Sequence, residues 1–110
     1  MTVDELRTIA LALPETAEVT TWGEYTWRVR NKIFVMAAEE SGAGAVKSDL
    51  ATQAELVASD PETFSVASHT GRFGWVRVEL GRVSAEELRE LVVDAWRRTA
   101  PKRLVASSGL

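Results

Sequence analysis

The sequence predicts an α+β domain: one antiparallel β-sheet of about five strands with three helices packed on one of its faces, in the order α-β-β-β-β-α-β-α. Three observations carry this. Three stretches open on a capping box and run on with apolar residues at helical spacing. Between the first two of them, residues 17–49 switch to a period of two, with turn pairs too short to hold a crossover helix. And 110 residues that are 45% hydrophobic and 26% charged are enough for one ordinary core and no more.

Thr2-Val3-Asp4-Glu5 is the first capping box, and Val3, Leu6, Ala10 and Leu13 make one apolar stripe behind it. Pro14 ends that helix, because proline cannot donate and disfavours a helical residue before it. Ala17 to Trp22 is the first expected strand, with Gly23-Glu24 as its turn. Tyr25, Trp27 and Val29 then face one way, and Thr26, Arg28 and Arg30 the other. Asn31-Lys32 is the next turn, and Ile33 to Ala38 continues as a strand apolar on both faces. Ser41-Gly42-Ala43-Gly44 reads as a loop, and Ala45 to Asp49 as a fourth strand.

Thr52-Gln53-Ala54-Glu55 is the second capping box, heading a short helix that Asp60-Pro61 terminates. Pro61 to Val66 reads as extended or turn. The segment Ala67 to Gly74 collects the only histidine, His69, with Gly71, Arg72, Phe73 and Gly74, and feeds the strand Trp75–Leu80. Ser84-Ala85-Glu86-Glu87 is the third box, and Leu88, Leu91, Val92, Ala95, Trp96 and Thr99 keep helical spacing after it. Acids fill the first turn of that helix and Arg97-Arg98 the last, as its dipole prefers. Pro101 stops it. Residues 1–104 are expected as a single domain and Val105–Leu110 as a frayed tail.

Composition narrows the function. The net charge is −3, which argues against a strongly nucleic-acid-binding protein. The charge is uneven, however: residues 1–62 hold five basic and eleven acidic side chains, residues 63–110 eight and five. No cysteine is present, no apolar run is long enough to span a bilayer, and the acidic start is unlike a signal peptide. A cytoplasmic protein with no membrane partner is the expectation.

Catalytic and metal chemistry find little purchase. His69 has no histidine or cysteine companion, and Glu39-Glu40 and Glu86-Glu87 are adjacent rather than at ligand spacing. Ser68-His69 lacks a nucleophile elbow, and Gly71 and Gly74 fit no phosphate-loop motif. No catalytic residue, metal or cofactor is expected. The glycines read as a connection that needs positive φ. Two binding readings remain. Arg28, Arg30, Lys32, Arg72 and Arg77, interleaved with Trp27, Phe73 and Trp75, have the composition of a nucleic-acid surface, although arginines on a solvated sheet face are common. Alternatively Trp27, Phe73 and Trp75 line a sheet face that holds a small aromatic ligand. The tryptophans have a plain structural use too, as core, clearest for Trp96 on its helical stripe.

Several motifs taken together resemble the MmcQ/YjbR family: Trp22-Gly23-x-Tyr25-x-Trp27-Arg28-Val29, Lys32-Ile33-Phe34, Val46-Lys47, Asp60-Pro61-x-x-Phe64, His69-x-Gly71-x-x-Gly74-Trp75-Val76-x-Val78 and Ala100-Pro101-Lys102-Arg103-Leu104. The resemblance runs from about Leu6 to Leu104. It implies a frataxin-like (CyaY-like) fold, and a DNA-binding role attributed to a winged surface of strands and basic residues. By position it points to Trp27, Arg28, Lys32, Lys47, His69 and Trp75. Some members carry an Asn-Lys pair after the histidine, where Thr70-Gly71-Arg72-Phe73 here keeps a cation and lacks the asparagine. An iron role would follow from the fold alone, and the acids for it are only Asp4, Glu5 and Glu15. The leading expectation is a non-enzymatic, weakly DNA-binding protein. Arg28, Arg30, Lys32, Lys47, Arg72 and Arg77 would contact phosphates, and His69 or Trp75 would approach a groove.

Overall fold

The computed structural model describes residues 1–38 and 40–110. Its elements are α1 (Val3–Leu11), β1 (Thr16–Thr21), β2 (Glu24–Val29), β3 (Lys32–Ala38), β4 (Ala43–Val46), α2 (Leu50–Ser59), β5 (Phe64–Val66), β6 (Val76–Glu79), α3 (Ala85–Thr99) and α4 (Lys102–Ser108), with a 3₁₀ turn at Gly71–Phe73. The strands form one antiparallel sheet in the order β1-β2-β3-β4-β6-β5. The Cα radius of gyration is 12.8 Å, close to the roughly 13 Å of a single compact domain of this size. The α+β architecture and the element order are as the sequence predicts, with six strands in place of about five and four helices in place of three.

Capping chemistry sets the helix starts. Thr2 and Ser84 accept from the Glu5 and Glu87 amides, as their boxes require. The second box is corrected. Asp49 is the cap, accepting from the Thr52 amide at 2.7 Å, so the helix begins at Leu50 and residues 47–49 are not strand. The turns are corrected by one residue each. Trp22-Gly23 (φ 54° and 78°) joins β1 to β2, and Arg30-Asn31 (φ 51° and 65°) joins β2 to β3. Both central residues lie at positive φ, the turn whose twist matches a two-residue hairpin. Arg30 is therefore a turn residue and does not share a strand face with Arg28.

One face of the sheet and the helices enclose the core, in which Leu6, Trp27, Phe34, Val78, Leu88 and Trp96 are fully or almost fully buried. Two indoles bring a polar atom in and satisfy it: Trp27 Nε1 donates to Glu18 Oε1 at 2.9 Å, and Trp96 Nε1 to the Pro14 carbonyl at 3.0 Å. Residues 105–110, expected as a frayed tail, include most of α4. Leu104, Val105 and Leu110 pack against the core, and that burial stabilises a helix too short to form alone.

Candidate functional site

Strand register sorts the outward residues, because directly paired residues share a face. A row runs across the helix-free face as Val19, Thr26, Met36, Ala45, Arg77 and Ser65. On one side of this row lie Arg28 and Ile33, paired across β2 and β3. On the other lie Glu24 and Ala38, then Ala43 and Glu79. Glu24 and Glu79 thus stand to one side of the row and Arg28 to the other, with Arg77 in the row itself.

The cationic end is built from three connections. Arg28, one residue before the end of β2, donates to Thr26 Oγ1 at 3.1 Å, Thr21 Oγ1 at 3.3 Å and Asn31 Oδ1 at 3.4 Å. Lys32 stands at the exit of the β2–β3 turn, and its partner Val29 belongs to the core face. Lys47 follows β4 by one residue and is held by its amide to the Phe34 carbonyl at 3.0 Å. Arg72 comes from the glycine loop and stacks its guanidinium 4.7 Å above the exposed Phe73 ring.

That loop is fixed to the same end. Gly74, at φ 99°, runs so close to the backbone of Ser48 and Asp49 that a Cβ would stand 2.6 Å from Asp49 Cα. Gln53, buried on α2, donates to the Gly71 carbonyl at 2.8 Å and the Trp75 carbonyl at 2.7 Å. This anchor was not legible beforehand, since Gln53 sits inside what reads as a capping box. Among the described residues Arg28, Lys32, Lys47 and Arg72 make no ion pair.

Two expected phosphate ligands stand elsewhere. Arg30 is taken by Glu15 through two contacts of 2.5 and 3.1 Å, which hold the Glu15 carboxyl below its ordinary range and the guanidinium above its own. Arg77 pairs with Glu79 in the middle of the helix-free face. His69, from the same loop as Arg72, lines a different feature. It overhangs a cleft of about 260 Å³ floored by Met36, Ala38, Ala43 and Ala45 and bordered by Arg77 and Glu24.

The expected tryptophan-lined ligand face does not form. Trp27 is 0% exposed within the core, and Trp75 is 8% exposed, leaving only Phe73 open to solvent. The aromatic residue that stands free is Trp22, 98% exposed at the tip of the β1–β2 hairpin. Its neighbour Gly23 marks that turn in the sequence, which was the available signal for an exposed position. Among the described residues no three His, Asp or Glu side chains gather as a metal site. Glu39, half of the Glu39-Glu40 pair, lies outside the described residues. Asp4 and Glu15 are each engaged by an arginine. Among the same residues no helix is long and apolar enough to cross a membrane.

Comparison with known proteins gives three findings. The family model described as YjbR matches residues 11–98. Uncharacterized proteins of Mycobacterium bovis and Mycobacterium tuberculosis are 28% identical over 122 aligned positions, covering 94% of this chain and 92% of theirs. The crystal structure of the Deinococcus radiodurans protein DR2400, a DUF419 domain, superposes with a TM-score of 0.80 at 24% identity, covering 99% of this chain and 81% of that one. At that identity the superposition speaks for the fold.

Proposed function

The chain belongs to the YjbR family, and from that premise we propose that it is a non-catalytic, weakly DNA-binding protein that grips phosphates with the cationic end of its sheet. One observation carries the reading: Arg28, Lys47 and Arg72 stand at one end of the sheet, with Lys32 at the same end on the core side, and none of the four is ion-paired to an acid among the described residues. From β2 to the segment entering β6 is three strand spacings, about 14 Å, or about four base-pair rises of duplex. Arg72 with Phe73 adds a flat cation–aromatic pair suited to a sugar–phosphate or base surface. The overall charge of −3 keeps the affinity low. A cytoplasmic location goes with this reading.

The test is salt dependence. A labelled duplex titrated at low salt should give a saturable anisotropy change. Four phosphate contacts set a slope of log K against log salt no steeper than about −3.6. Replacing Arg28 and Lys47 together by glutamine should reduce that slope by about two counterion terms. No saturable change, or a slope that ignores the double substitution, would exclude the reading.

A further inference from the structure

The cleft on the other half of the helix-free face is independent of the cationic end. Its floor is apolar and made mostly of small side chains: Met36 pairs with Ala45 by register, and Ala38 and Ala43 line the same cleft. Small residues there leave a hollow where larger ones would have made a filled surface. The volume, about 260 Å³, is just under the roughly 300–1,000 Å³ of pockets for drug-sized molecules, which suits a ligand of metabolite size.

The wall above this floor is strained. Ser68, His69 and Thr70 form a three-residue turn closed by the Thr70 amide on the Ser68 carbonyl at 2.6 Å, with His69 at φ 64°. An i to i+2 bond around a left-handed, non-glycine residue is the rare and costly form of the γ-turn. The cost is borne at a turn that lines the cleft. The loop's anchors at Gln53 and Gly74 keep it there.

Arg77 lines the same cleft. Its Nη1 donates to Glu79, and the remaining guanidinium donors are engaged by no described side chain. Glu24 borders the cleft from β2, three strands away in the sheet order, so the acid and the cation occupy different sides of the mouth. An apolar floor in a cleft also lined by Arg77 and His69 suits an apolar body carrying one carboxylate.

We propose that this cleft binds a small apolar monocarboxylate, its carboxylate met by Arg77 and His69 and its body laid on Met36, Ala38, Ala43 and Ala45. Benzoate is the probe and benzamide its neutral counterpart, each titrated into the full chain and followed by backbone amide shifts. Benzoate should give saturable shifts at Ala38, Ala43, Ala45 and Thr70, and should bind about tenfold tighter than benzamide, as expected for one charge-assisted hydrogen bond. Arg77→Gln should erase the difference between the two probes. Ala45→Phe should abolish both, with Ala45→Leu serving the same end if the phenylalanine variant loses its dispersed spectrum. Unsaturable shifts, shifts centred on the helices, equal affinity for the two probes, or binding that survives filling of the floor would each overturn the assignment. Such a failure leaves duplex binding at Arg28 and Lys47 untouched, so the two readings fall separately.

Discussion

Asp49 shows how much one side chain arranges here. Its Oδ1 caps α2 at the Thr52 amide, its Oδ2 meets Arg98 at 2.9 Å, and its backbone is the surface against which Gly74 packs. The Thr52 amide above all, with the Thr52 hydroxyl and the Arg98 guanidinium, holds the Asp49 carboxyl below its ordinary value of 3.8. Asp60 is held low in the same way, chiefly by the Thr63 hydroxyl. A carboxyl lowered by folding lends stability that is complete above its unfolded pKa and is lost as pH falls through the folded one. The urea midpoint should therefore fall as pH is taken from about 5 to about 2. Asp49→Asn keeps a capping oxygen and removes the titration, so its midpoint should decline less over that range. Curves that run parallel for the two proteins would remove Asp49 from the acid response.

At the scale of the element, the glycine loop carries both candidate sites, with Arg72 on one side and His69 on the other. Gly74→Ala would impose a Cβ at φ 99° and 2.6 Å from the Asp49 backbone, which cannot move aside as a side chain can. A loss of order 1–3 kcal/mol is expected from denaturant unfolding. Gly81→Ala, where nothing stands within 4 Å and φ is not left-handed, should change stability by no more than about 1 kcal/mol in either direction. Equal effects at the two positions would mean that close approach does not hold this loop.

The elements that were legible are those whose signals are local. Thr2 and Ser84 sit at their caps, Pro14 and Pro101 end their helices, and Val76, Val78 and Leu80 alternate into the core. The elements that escaped depend on distant partners. Phe64–Val66 is too short to show a period, and is a strand because it pairs with β6. Lys102–Ser108 is a helix because Leu104 and Val105 reach the core. Thr52 looks like a cap and is instead the residue capped, since Asp49, three residues earlier, offers a carboxylate to its amide.

For the molecule as a whole, the useful asymmetry is between the two faces of the sheet. Helices take one face and bury Trp27 and Trp96 there, which is why a count of four tryptophans did not make an aromatic binding surface. The other face is left with Arg28 toward one end, Glu24 and Glu79 toward the other, and a hollow between strand and loop. Residue type nominated Arg28, Lys32 and Arg72, and the resemblance Lys47, but also Arg30, which Glu15 holds, and Arg77, which stands in the middle of the face; a sequence shows neither the ion pair nor the register. The most direct measurement is a backbone amide shift map of the full chain titrated with unlabelled duplex DNA at low salt. Shifts should be confined to the cationic end, at Arg28, Lys32, Lys47 and Arg72, and should fade as salt is added. Shifts on the outer faces of α1 and α3, or none at any concentration of duplex, would contradict the DNA-binding reading.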